Sequence, residues 1–167
     1  VDLTGADYAT DFALTDQNGQ TRGLKDFAGK VVVVFFGYTQ CPDVCPTTLQ
    51  ELLEVQRMLG ADGAKVQPVF ITVDPERDTA ELLKAYMANF DPSFVALRPT
   101  PEQLQALLKD FKIYAKKVDG KTPTSYTMDH SAQSYVYDPK GRLRLYNRYG
   151  SGPQALADDI KLILQGL

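Results

Sequence analysis

The chain has little of what usually decides a protein's class at first sight. Two cysteines in 167 residues are too few for a disulfide framework. There is one histidine, so no histidine-rich metal site can form. The longest apolar run, Val31 to Phe36, is far short of the roughly 20 residues that a membrane-spanning helix requires. Neither sign of charge dominates: 18 Lys and Arg face 21 Asp and Glu, net −3. The basic residues are scattered, without the stripe or tract that nucleic-acid binding needs. No repeat, low-complexity stretch or linker interrupts the sequence. It begins at Val1 with neither a methionine nor a basic-then-apolar leader, so a processed or truncated form is expected.

What is present is an ordinary globular composition, 44% hydrophobic and 23% charged. The length suits a single domain over residues 1–167. Phe12 to Leu24 alternates around Asn18-Gly19, the favoured pair of a tight hairpin turn. Val31 to Phe36 is β-branched and aromatic throughout, as in a strand buried on both faces. Pro46 and the leucines at 49, 52, 53 and 59 predict a helix starting just after Cys45 and ending at Gly60. Val66 to Val73 reads as a second strand, and Asp78 with Glu81 as a capping-box-like start to a helix through Phe90. Phe94 to Leu97 is a further short apolar stretch. Thr100-Pro101-Glu102-Gln103 supplies a cap, a helix-starting proline and a box partner for a third helix to Phe111. Residues 113–118 read as extended and 119–127 as an exposed loop. Ser134–Tyr137 and Leu143–Tyr146 flank Asp138-Pro-Lys-Gly141 as a hairpin, and Gly152-Pro153 opens a last helix. This order predicts an α/β, thioredoxin-like fold: a central mixed sheet, helices on both faces and an N-terminal β-hairpin.

Cys41-Pro-Asp-Val-Cys45 lies between a buried strand and a helix, at the carboxyl end of the strand, where open α/β sheets place their sites. A helix amino terminus stabilises thiolate, which is both nucleophile and metal ligand. Four residues of helix rise put both sulfurs within reach of one ion, and the same spacing permits a disulfide. The plainer alternative, two buried cysteines acting as small hydrophobes, fits poorly with the two prolines and Asp43 around them.

His130 stands in Tyr126-Thr-Met-Asp-His-Ser131. From the residues alone it serves equally as a surface histidine or a ligand. Together with Cys41 and Cys45 it makes a soft, low-coordinate donor set suited to Cu(I), whereas structural zinc generally takes four protein ligands. Asp129 is a candidate to orient the imidazole or to bind directly. Asp74, after the second strand, emerges on the same sheet edge and is a candidate to line the site. Glu76, Arg77 and Asp78 read as a helix-entry turn in which Asp78 caps.

Three separated motifs now stand in order: Phe35-Phe-Gly-Tyr-Thr-Gln-Cys-Pro-Asp-Val-Cys-Pro46, Thr72-Val-Asp-Pro-Glu-Arg-Asp-Thr79, and Asp129-His-Ser131 before Asp138-Pro-Lys-Gly141. In these the chain resembles the Sco/SenC copper proteins, from about Asp11 to near the carboxyl terminus. The resemblance implies a thioredoxin fold and copper, as Cu(I) with Cu(II) also open, bound by Cys41, Cys45 and His130. It further implies delivery to the dinuclear copper site of cytochrome c oxidase. The expected partner is the copper-bearing oxidase subunit or another copper or thiol protein, and the expected state a monomer. The expected location is the periplasm, with tethering to the bacterial inner membrane by an amino-terminal helix. Two other roles use the same residues: a thiol–disulfide oxidoreductase that reduces the acceptor's cysteines, with Cys41 and Cys45 as its catalytic pair, and a copper-dependent redox sensor. A general thioredoxin is disfavoured by three residues between the cysteines and by Met128-Asp129-His130 lacking the proline that thioredoxins place before the hairpin strand. A peroxidase is disfavoured by Tyr38 where its threonine would stand.

Overall fold

A computed structural model describes residues 12–39, 44–91, 93–111, 115–118, 127–130, 133–148 and 152–165. Its centre is β3 (Val31–Gly37), buried along its whole length. A strand of valines and phenylalanines has no polar face to offer water, so it needs a neighbour on each side and cover above and below. β4 (Val66–Thr72) runs parallel to it from Val31↔Val66 to Gly37↔Thr72. β8 (Gln133–Tyr137) runs antiparallel on the other side. β5 (Val95–Arg98) adds in parallel to β4, and β1 (Leu14–Asp16) pairs antiparallel with β5. β2 (Thr21–Arg22) and β9 (Leu143–Arg148) form the edges, giving the order β2-β1-β5-β4-β3-β8-β9. β6 (Ala115–Val118) and β7 (Thr127–His130) make a separate two-stranded sheet.

Among the described residues the α-helices are α1 (Val44–Met58), α2 (Ala80–Ala88), α3 (Pro101–Asp110) and α4 (Pro153–Leu164). The connections β3–α1–β4 and β4–α2–β5 step in the same direction, so right-handed crossovers place α1 and α2 on one face. On that face the Phe35 and Phe70 rings meet edge-on at 5.3 Å, and Tyr86 of α2 lies 6.1 Å from Phe70. α4 packs against α1 and β3. Neighbouring strand residues point to opposite faces. Phe36 accordingly meets Phe111, at the end of α3, on the other face, and Phe111 meets Tyr135. The α/β, thioredoxin-like architecture with both faces covered is the one that the order of elements predicts. Each fully buried Val or Phe of β3 and β4 contributes about 1.5–3 kcal/mol relative to exposure, so these strands are the least replaceable part of the chain.

Several boundaries differ from the sequence expectation. α1 begins at Val44, ahead of Cys45, and takes Pro46 into its first turn, where the missing N–H has no helical partner to lose. α2 is capped by Thr79, whose hydroxyl accepts the Leu82 N–H, and not by Asp78. The polar segment assigned as loop through Thr127 gives way at that residue to β7. Thr-Met-Asp-His has no apolar alternation to announce a strand, and its pairing with Ala115–Val118 makes it one. α3, by contrast, has the full capping box, with Thr100 and Gln103 bonded reciprocally.

The two hairpins of the main sheet share one device. Asp16 and Asp138 each start a turn that closes through a glycine in the left-handed region, Gly19 at φ 82° and Gly141 at φ 79°. The first loop is therefore longer than a two-residue Asn-Gly turn: Gly19 N–H donates to Asp16 C=O, and Asp16 N–H to Gln20 C=O. In each turn one carboxylate oxygen accepts the N–H groups two and four residues on, at 2.8 and 2.9 Å for Asp16 and 3.0 and 2.9 Å for Asp138. The other oxygen accepts from Arg22 or Arg142, both at 2.9 Å. Burial pushes both carboxyls up, but the arginine and backbone bonds outweigh it and hold them below the ordinary aspartate value.

Because the Arg142 side chain is 65% exposed, solvent screens that ion pair, and the backbone bonds carry most of the effect. Asp138→Ala is expected to lower stability by about 2 kcal/mol. With the folded carboxyl held below its unfolded value, Asp138 contributes fully above about pH 4 and loses its contribution as pH falls through the folded value. Denaturant unfolding between pH 5 and pH 2.5 should therefore show a flatter acid limb in Asp138→Asn than in the parent chain. An unchanged slope would contradict this role.

Candidate functional site

The carboxyl ends of β3 and β4 meet at the pair Gly37↔Thr72, where the Val73 N–H donates to the Gly37 carbonyl at 2.8 Å. β3 continues into buried Tyr38 and half-buried Thr39. Cys41 follows two positions later and lies outside the described residues. Cys45 is the second residue of α1, within the first turn, whose backbone N–H groups have no intrahelical acceptor.

His130 ends β7, opposite Ala115 in register, with Asp129 opposite Lys116. β8 begins three residues later at Gln133, and its next residue, Ser134, pairs with Phe35 near the carboxyl end of β3. Three residues span at most about 11 Å, so the end of β7 lies within that distance of the start of β8, which stands beside the carboxyl end of β3. Backbone connectivity thus brings the elements carrying Cys45, Asp129 and His130 to one edge.

Asp74 reaches the same edge and is buried there. Its carboxylate is ion-paired with Arg77, also largely buried, and its N–H donates to Thr72 Oγ1 at 3.0 Å. The Arg77 guanidinium lies 5.8 Å from the centre of the Tyr38 ring, a cation–π contact with the chain just before the cysteine loop. Among the described residues no group of three or more His, Cys, Asp or Glu is placed to hold a metal ion.

Asp78, read from sequence as a helix cap, instead points inward. It is fully buried. One oxygen takes the Thr39 hydroxyl at 2.5 Å; the other takes the Thr39 N–H at 3.1 Å and the Thr72 hydroxyl at 2.6 Å. Its own carbonyl accepts Arg98 Nε at 2.8 Å, while Arg98 Nη2 donates to the Pro75 carbonyl at 2.8 Å. The Asp78 carboxylate therefore ties the residue two before Cys41 to the end of β4, and its backbone carbonyl, through Arg98, links this point to β5. Burial pushes its carboxyl above the ordinary aspartate value, assisted by neighbouring Asp74 and opposed by the two threonines. Sequence reasoning overlooked Thr39, Thr72 and Arg98. A signal was available in Asp78 and Thr79 being adjacent: two cap-competent residues compete for one cap, which frees the other for different work.

The sequence profile described as SCO1/SenC matches residues 2–165. The chain belongs to the SCO1/SenC family. It is 34% identical over 152 residues to the SCO2-like protein of Rickettsia felis, covering 90% of this chain and 74% of that one. Among solved structures it is similar to Bradyrhizobium japonicum ScoI with copper bound, at TM-score 0.81 and 44% identity over 92% of this chain and 97% of that chain. It is also similar to Arabidopsis thaliana ScoI with copper bound, at TM-score 0.86 and 28% identity over 94% and 98% of the two chains. For this SCO1/SenC chain the Thr72–Thr79 motif acquires a physical reading as a brace on Thr39, two residues before Cys41.

Two substitutions separate a brace from a cap. Thr79→Ala removes a cap bond and is expected to cost about 1 kcal/mol. Asp78→Ala strands the Thr39 N–H and two hydroxyls, and is expected to cost about 3 kcal/mol. The pH dependence has the opposite sign to that of Asp138: with the folded value raised, the Asp78 contribution is fullest below the unfolded value of about 4 and declines as pH rises through the folded one. Denaturant titrations of both variants across this range check the order and the sign. A larger loss for Thr79→Ala would contradict the assignment.

Proposed function

We propose that this protein binds copper through Cys41, Cys45 and His130 and passes it to the dinuclear copper site of cytochrome c oxidase. The observation that carries the proposal is the arrival of the first turn of α1 and the end of β7 at one edge of the sheet. Support comes from the copper-bound relative that is 44% identical.

The donor set fits a soft cargo. Two thiols and one imidazole suit Cu(I), while the nearby hard donor, Asp74, is already engaged by Arg77. Asp129, next to His130 in β7, is the candidate to orient the imidazole. Cys45 stands in the first turn of α1, a kind of position that in general suits a metal-binding sulfur. With three protein ligands, an incoming thiolate or imidazole of the acceptor can join before any ligand leaves. Ligands are then exchanged one at a time, and the ion never has to pass free through water.

The acceptor proposed is the copper-bearing oxidase subunit, and the proposed location is the periplasm, with attachment to the bacterial inner membrane. No helix among the described residues is long and apolar enough to cross a membrane. A second reading is favoured by Cys45 standing at a helix amino terminus: Cys41 and Cys45 as a dithiol that reduces the acceptor's cysteines before metallation.

His130→Ala distinguishes the two readings. Copper binding should weaken at least tenfold and the visible and spin-resonance spectra of the copper-loaded protein should change, while disulfide exchange with a model thiol continues. Unchanged copper spectra would contradict His130 as a ligand.

A further inference from the structure

We propose that Tyr135 is a positioning residue for His130, acting as a clamp at the root of the β6–β7 arm. This rests on the reading of His130 as a copper ligand. Tyr135 is almost fully buried in β8, five residues after His130. Its hydroxyl donates to the Phe111 carbonyl at 2.7 Å, across 24 positions of chain. Phe111 is the C-cap residue of α3, and its carbonyl is one of those that a helix end leaves without an intrahelical partner. The two residues joined by this bond bracket the excursion that carries His130: out from Phe111 through β6, back along β7, and into β8.

The pairing Ala115↔His130 puts His130 at the root of the arm, on the strand that runs back into β8. A bond that fixes the root therefore fixes where the histidine backbone stands relative to the carboxyl end of β3. Packing reinforces it. The Phe111 ring meets Tyr135 edge-on at 5.3 Å and Phe36 at 5.2 Å, so α3, β8 and β3 are registered to one another at this point. Removing only the hydroxyl leaves this aromatic packing and frees the carbonyl.

The experiment uses Tyr135→Phe in the full chain. Because His130 is the sole histidine, its ring-proton NMR lines identify themselves in the copper-free protein. The parent chain should give one sharp set, and the variant broadened or split lines. Cu(I) affinity of the variant should fall about threefold to tenfold, the range that one buried hydrogen bond commands. Ile160→Val in α4 supplies a control with a comparable loss of stability at a distance from the arm. If Tyr135→Phe leaves the histidine lines unchanged, or if Ile160→Val disturbs them equally, the clamp is overturned. If the lines change while His130→Ala leaves copper binding intact, the clamp stands and the copper reading fails.

Discussion

The buried carboxylate of Asp78 is the constraint on which the site end of the molecule depends. A strand that leaves a parallel sheet has no ladder partner for its next residues, and Thr39 is such a residue. Asp78 supplies that partner, taking both the N–H and the hydroxyl of Thr39 while holding the Thr72 hydroxyl at the end of β4. Placing a carboxylate there is costly, as its raised proton affinity records. The gain is that the chain is fixed two residues before Cys41, so the cysteine loop departs from a set point.

Buried carboxylates are treated differently in the hairpin turns and at the site end of the sheet. In the two hairpins, Asp16 and Asp138 sit in turns saturated with backbone N–H donors and arginine, and their charged forms are favoured. At the site end, Asp78 is opposed by burial and by Asp74. The hairpin aspartates strengthen the fold above acid pH, whereas the contribution of Asp78 declines as pH rises and its carboxyl ionises. On the histidine side the fixing element is neutral, the Tyr135 hydroxyl on the Phe111 carbonyl.

Much of the architecture was legible because local chemistry and tertiary structure agree. β3 has only one use for six consecutive large apolar residues, and the third helix announces itself with Thr100, Pro101 and Gln103. The Asp138–Gly141 turn follows from its proline and glycine. Where two local readings competed, sequence chose wrongly. Asp78 and Thr79 are both good caps, and the decision falls to burial next to Thr39 and Thr72, which are 39 and 6 positions away. β7 was missed because its partner strand, not its own pattern, makes it a strand. For the site, sequence supplied the residue types and spacing of Cys41, Cys45 and His130. The register of β8 on β3 then brings the end of β7 to the β3–α1 edge. The brace on Thr39 was invisible to periodicity, because hydrogen bonds between polar side chains leave no repeat in a sequence.

Copper held by the cysteine pair together with the histidine is the interaction on which the proposed function depends. Its most direct test is a copper titration of the fully reduced chain beside the same chain oxidised to the Cys41–Cys45 disulfide. The account predicts one tightly bound copper per reduced chain, weakening as acid protonates the ligands, and none on the oxidised chain. Equal copper binding by the oxidised chain would contradict it.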